Sequence, residues 1–208
     1  VHAETAARLK VLQVNHTTPA WAGTDGHRFP LDLRETFYLH RRLAARWRGE
    51  VRAFEPWNEP DLETFGNHTA GEIASFQKAA YWGVKAGNPR AIVCLAPLVY
   101  RRPHRLEEFR ANEVWPYFDT FNFHHYVPTD RYPKLYADFR SASGGRPVWV
   151  TEACLPMEWA GDAGRQEPES PRGQAERVGR LLASALHEGP ALVNYFCLPH
   201  HAEGTTDR

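Results

Sequence analysis

Short apolar runs alternate along this chain with longer stretches whose apolar residues recur every three to four positions. Val11-Leu12-Gln13-Val14 reads as a first strand. After a loop over residues 23–30, Asp32 and Glu35 have the spacing of a capping box. The helix they open places Leu33, Phe37, His40, Ala44 and Trp47 on one face before Gly49 ends it. Residues 51–54 read as the next strand. Thr69 and Glu72 repeat the capping-box spacing, and the helix behind them aligns Ile73, Phe76, Ala80 and Val84 until Gly87-Asn88-Pro89 stops it. Residues 91–95 have the composition of a buried strand, and a short helix is expected around residues 105–113. Residues 121–123 give a strand, residues near 134–141 a helix and residues 148–150 a strand. A polar loop rich in Gly, Pro and acidic residues covers 155–171. A helix over 172–187 turns Val178, Leu181, Leu182 and Ala185 inward, and residues 192–196 form the last strand.

Strand followed by helix, repeated about six times with no helix after the last strand, implies parallel strands joined by helical crossovers. An open doubly wound sheet and a (β/α)8 barrel both fit this order. No GxGxxG or GxxxxGK[ST] follows any strand, which weakens the nucleotide-binding form of the open sheet. At 208 residues, one domain over 1–208 is expected.

Composition narrows the partners. Lys plus Arg and Asp plus Glu number 25 each, giving zero formal net charge, which argues against an electrostatic grip on nucleic acid or an anionic membrane. No apolar run approaches the ~20 residues of a membrane span. The opening Val1-His2-Ala3-Glu4-Thr5 has no basic-then-apolar signal pattern and no initiating Met, so an N-terminally truncated domain is expected. Cys94, Cys154 and Cys197 show no CxxC spacing and read as buried free thiols. Seven Trp, eight Tyr and eleven Phe suit sugar stacking, and suit an aromatic core equally.

Polar groups gather where the expected strands end. Asn15 and His16 follow the first and Asn58 and Glu59 the second. His124, His125 and Tyr126 follow the fourth, Glu152 the fifth, and His200 and His201 lie beyond the sixth. In a barrel these ends open onto one face, where active sites lie. Two glutamates there match what glycosidic cleavage needs: one carboxylic acid to protonate the leaving oxygen, and one carboxylate to attack the anomeric carbon or activate water. Their pKa values must differ, so their surroundings must differ. Adjacent histidines on a strand diverge, so one of His124 and His125 faces the barrel mouth and the other serves the core. No HxH or HExxH spacing supports a metal, and no metal or cofactor is expected. Trp21, Trp57 and Trp159 are candidate sugar-stacking rings, while Trp47 and Trp82, on helices, are expected to pack. Asn15-His16-Thr17 and Asn67-His68-Thr69 match N-x-[ST] and are read as accidental.

Trp57-Asn58-Glu59-Pro60 resembles the acid/base segment after strand four of the glycoside hydrolase clan built on (β/α)8 barrels, clan A. Val150-Thr151-Glu152 is similar to that clan's nucleophile segment on strand seven, and Phe123-His124-His125-Tyr126 to its strand-six segment. The first strand, with Asn15, Thr18-Pro19 and Trp21 after it, resembles strand three. The E-x-W-N-E-P and H-H-Y runs look nearest to glycoside hydrolase family 39, which includes β-xylosidases and α-iduronidases. The resemblance spans roughly residues 9–199 and implies an incomplete TIM barrel carrying strands three to eight. It implies a retaining mechanism with Glu59 as acid/base, Asn58 on the sugar 2-hydroxyl and Glu152 as nucleophile. His124, His125, Tyr126, Trp21, Asn15, His16 and Tyr195 are the further expected sugar contacts. A carbohydrate partner follows, and this class of function implies a secreted or periplasmic setting. Departures are equally visible. Strands one and two have no counterpart before Val11, Pro56 stands where a β-branched residue is usual, and Tyr195-Phe196 replaces a common Trp platform. A barrel that binds sugar without cleaving it is the second reading, and an open α/β fold with zinc at its histidines the third.

Overall fold

The computed structural model describes residues 1–99, 103–155 and 171–196. Its elements run α1 (His2–Ala6), β1 (Val11–Val14), α2 (Leu33–Arg46), β2 (Val51–Glu55), α3 (Ala70–Gly87), β3 (Ile92–Val93), α4 (Pro103–Ala111), β4 (Phe121–His125), α5 (Tyr132–Ala142), β5 (Val148–Ala153), α6 (Pro171–His187) and β6 (Leu192–Tyr195). Every strand pair is parallel. β1 pairs with β2 and β2 with β3, and β4 pairs with β5 and β5 with β6. Single bridges, Cys94 to Thr120 and Leu98 to Phe123, join the two halves. The strands therefore follow one another in space as in sequence. A doubly wound sheet reverses strand order at its switch point; this arc never does, so it is part of a (β/α) barrel. Among the described residues β1 and β6 do not pair with each other.

Alternation along the strands builds the layers. Phe54 packs outward with Ala44 of α2 and Val84 of α3, while Glu55 turns to the inside of the arc. On β4, the Phe121 and Phe123 rings lie 6.2 and 3.9 Å from the Phe139 ring of α5. α3 lies very close to α2: a Cβ on Gly83 would stand 2.4 Å from the Phe37 carbonyl oxygen, and one on Gly87 2.3 Å from that of Arg41. Only glycine permits that approach.

Several expectations shift. The third strand is two residues long rather than five. Beyond Val93 backbone bonds continue from Cys94 to Phe54 and from Leu95 to Thr120, and the buried Gln77 of α3 joins them, donating to the carbonyls of Cys94 and Tyr117 at 3.0 Å each and accepting from the Ala96 amide at 3.1 Å. Asp32 caps α2 but accepts from Arg34 rather than forming a box with Glu35, because the Arg34 guanidinium occupies its carboxylate. Thr69 and Glu72 form both halves of theirs. α4 begins two residues before its expected start, and α1, too short to show periodicity, was not expected. Trp82 lies exposed, edge-on to Tyr81 and Tyr117, instead of packing inward. Cys94 and Cys154 are buried free thiols; Cys197 lies outside the described residues. No described helix is long and apolar enough to cross a membrane.

Candidate active site

β2 ends at Glu55, so Pro56 meets no demand for a ladder hydrogen bond. The chain then turns sharply. Glu59 has φ of 40°, in the left-handed region that non-glycine residues avoid at a cost of about 1–2 kcal/mol. The turn is held by Trp57, which is buried, donates its indole N–H to the Phe65 carbonyl at 3.1 Å and packs edge-on against Phe29 and Phe76. That packing withdraws Trp57 from any sugar, contrary to expectation. Phe29 also stacks on His68 at 3.5 Å, pinning the β1–α2 loop onto the same turn. Burial and the nearby Arg28 charge pull His68 down to about 4.

β4 supplies the centre. His124, 2 % exposed, faces the inside of the arc. Its Nδ1 lies 2.8 Å from Glu59 Oε1 and 3.7 Å from Glu152 Oε2. Its Nε2 lies 3.1 Å from Thr151 Oγ1 and 3.5 Å from Glu55 Oε1. Burial works against charge on His124. Its hydrogen bonds to Glu55 and Glu59 and the charges of Glu55 and Glu152 outweigh that, raising its pKa to about 10. His125 takes the opposite face as alternation requires, with Nε2 2.9 Å from the Tyr136 hydroxyl of α5. Burial, aided by the charge on His124, lowers it to about 4.

β5 brings the second carboxylate by breaking register. Phe123 pairs with Val150, but His124 pairs with Glu152, so one extra residue enters β5 at this point. Such bulges re-aim side chains beside active sites. Here the consecutive residues Thr151 and Glu152 both join the His124 cluster, which plain alternation would forbid. Tyr126 donates its hydroxyl to Glu152 Oε1. Burial raises the Glu152 pKa, and the His124 charge and the Tyr126 hydrogen bond draw it back.

Glu59, His124, Tyr126 and Glu152 are thus brought together, and Asn58, partly buried, precedes Glu59 in the turn. Of the other expected contacts, Asn15 joins β2 through its backbone N–H, which donates to the Glu55 carbonyl at 3.1 Å. Asn15 accepts from Gln13, His16 packs edge-on to Phe65, and Trp21 is 75 % exposed. Tyr195 packs against the core and touches Cys154 Sγ at 4.0 Å, whereas its neighbour Phe196 lies edge-on to Tyr126 at 6.4 Å. Trp159, His200 and His201 lie outside the described residues. Sequence reading passed over Glu55 and Thr151. A fully buried carboxylate four residues before Glu59 was a legible signal; the bulge that delivers Thr151 was not.

Single atoms of Glu59, His124 and Glu152 lie within 4.8 Å of one another, a spacing that could suit a metal. Both ring nitrogens of His124 already face protein acceptors and its proton affinity is high, so it offers no free lone pair to a cation.

No protein-family model matches the chain, and no curated protein is significantly similar to it. Solved structures are similar in fold. A GH39 β-xylosidase from Caulobacter crescentus superposes with a TM-score of 0.65 at 17% identity, over 94% of this chain and 47% of that one. A glucosidase from Croceicoccus marinus gives 0.64 at 13% identity, over 90% and 42%. The catalytic domain of Thermobifida fusca endoglucanase Cel5A gives 0.55 at 16% identity, over 97% and 60%. The chain therefore spans about half the length of these glycosidases, and at such identities the likeness is one of fold: this is the strand–helix arc of a glycosidase-type (β/α) barrel.

Proposed function

We propose that the chain is the catalytic part of a retaining glycoside hydrolase, a single domain over residues 1–208. Glu59 acts as acid/base and Glu152 as nucleophile, on a β-xyloside or related β-glycoside of a plant or microbial oligo- or polysaccharide. The observation that carries this reading is the convergence of the two glutamates, from strands on opposite sides of the arc, on His124. Their nearest carboxylate oxygens lie within 4.8 Å. Retaining enzymes place the two carboxyl groups ~5–5.5 Å apart and inverting ones ~6.5–9.5 Å, so the closeness favours retention.

In the first step a Glu152 oxygen bonds to the anomeric carbon as the C1–O bond breaks, and the Glu59 proton passes to the leaving oxygen. In the second, water gives its proton to Glu59, attacks C1 and releases Glu152. Burial raises the Glu152 pKa, and donation from Tyr126 and the His124 charge oppose that rise, in the direction a nucleophile requires. Asn58, which precedes Glu59 in the turn, takes the sugar 2-hydroxyl in this reading, and Phe196, edge-on to Tyr126, offers an aromatic wall.

The test is a panel of aryl β-glycosides. Glu152→Ala should abolish turnover, with azide restoring it and giving the inverted glycosyl azide. Glu59→Ala with azide should give the retained one. Exchanged outcomes would swap the roles, and full activity in Glu152→Ala would remove it from catalysis. One observation favours sugar binding without hydrolysis: among the described residues β1 pairs on one side only, and Val14, in register with Glu55, is 41 % exposed. Calorimetric binding of xylo-oligosaccharides with no turnover of any aryl glycoside would select that alternative.

A further inference from the structure

Two glutamates carry the proposed reaction, yet a third sits in the same cluster. Glu55 is 0 % exposed, deeper than either. Its Oε1 accepts the Thr151 hydroxyl at 3.0 Å. Thr151 Oγ1 stands 3.1 Å from His124 Nε2, and His124 Nδ1 stands 2.8 Å from Glu59 Oε1. A hydroxyl that gives its proton to Glu55 has only lone pairs left for Nε2, so Nε2 must carry a proton. Nδ1 faces Glu59 Oε1, with Glu152 Oε2 behind it.

We propose that Glu55 and Thr151 are positioning residues that hold His124 as a double donor, so that Oε1 of Glu59 always accepts and the transferable proton resides on Oε2. The proposal rests on the acid/base role of Glu59. Without the buried charge of Glu55, a neutral His124 could take the Glu59 proton onto Nδ1, and the acid would point at the protein instead of the leaving oxygen. Every charged or titratable group around His124 enters this balance: Glu55 on β2, Glu59 in the turn behind it, Glu152 on β5 with Tyr126 beside it, and neighbouring His125. Cys94, just after β3, senses Glu55, but burial raises its thiol so that it stays neutral.

The experiment compares the 208-residue chain with Glu55→Gln, Thr151→Val and Thr151→Ser. The first readout needs no activity: nitrogen-15 chemical shifts of the His124 ring followed across pH. Glu55→Gln should lower the His124 titration midpoint by about 1–3 units, tenfold to a thousandfold in proton affinity. Thr151→Val should lower it too, and Thr151→Ser should restore it. An unmoved midpoint in both Glu55→Gln and Thr151→Val overturns the proposal whatever the chain hydrolyses. The second readout is the pH profile on an aryl β-glycoside. In Glu55→Gln the alkaline limb should move down with His124, with kcat falling about 10²-fold or more and KM little changed. A midpoint that moves while the limb and kcat stay fixed also overturns it, by separating His124 from Glu59. Absence of turnover in the parent chain counts against the hydrolase reading alone, because the ring titration still decides the link to Glu55.

Discussion

His124 Nδ1 stands 2.8 Å from Glu59 Oε1, both groups buried, one on β4 and the other in the turn after β2. Replacing His124 with Ala would leave the fully buried Glu55 carboxylate without the cation beside it, and Glu59 without its hydrogen-bond donor. Breaking a buried ion pair from one side costs about 3–5 kcal/mol. His124→Ala should therefore lower the urea midpoint by that equivalent with little change in slope. A midpoint within about 0.5 kcal/mol of the parent, the range of ordinary surface substitutions, would mean that the carboxylates do not depend on His124.

Tyr126 governs the other glutamate. Its hydroxyl donates to Glu152 Oε1, and a hydrogen bond to a charged group contributes about 1.5–3 kcal/mol. Tyr126→Phe keeps the ring and removes the donor, so Glu152 should hold its proton to higher pH. The acid limb of kcat/KM, which reports the free enzyme's essential base, should move upward. An acid limb that stays in place would detach Tyr126 from the nucleophile.

Most of the arc was legible because amphipathic helices and apolar strands write their period into the sequence; Ile73, Phe76, Ala80 and Val84 are all buried as the spacing of α3 requires. The chemistry was legible where it rested on strand ends and alternation, as with His124 turning in and His125 turning out. Departures from period were not. The bulge that turns Thr151 and Glu152 the same way leaves no mark in a run of Val, Trp and Thr. Trp57 looked like a sugar platform because nothing local reveals that Phe29, from a distant loop, packs against it. β3 looked five residues long because the side chain that takes the Cys94 carbonyl and the Ala96 amide out of its ladder belongs to α3.

The buried histidines set a stability profile with two flanks. His124 has its pKa raised from 6.5 to about 10. Its pairing energy is present in full below the unfolded value near 6.5 and is lost as pH rises through about 10. His68 and His125 are lowered to about 4. The unfolded chain takes up their protons first, so stability falls as pH drops from 6.5 towards 4 and then flattens. Urea midpoints should peak near pH 6.5. In His124→Gln the alkaline decline should weaken while the acid flank keeps its slope. Equal loss of both flanks would assign the profile to general charge repulsion instead.

The seam between β3 and β4 lies between the strand that leads to Glu59 and the strand that carries Glu152, so their separation depends on how that seam is held. Among the described residues no continuous ladder spans it: isolated bridges and a few backbone hydrogen bonds, such as Leu95 N–H to the Thr120 carbonyl at 2.9 Å and His124 N–H to the Leu98 carbonyl at 3.1 Å, cross it, and Gln77 reinforces it by serving the carbonyls of Cys94 and Tyr117 and the amide of Ala96. Gln77→Leu keeps the bulk and leaves the buried Cys94 carbonyl and Ala96 amide without this partner, at about 1–3 kcal/mol for each buried group left unpaired. The variant should melt at lower temperature, and amide exchange should quicken at Leu95, Ala96 and Leu98 before it does in β5. Because the carboxylates are then held less firmly, kcat should fall more than KM rises. Unchanged exchange along residues 94–98 would show that the seam is held by the strands' own bridges, and that Gln77 contributes only to helix packing.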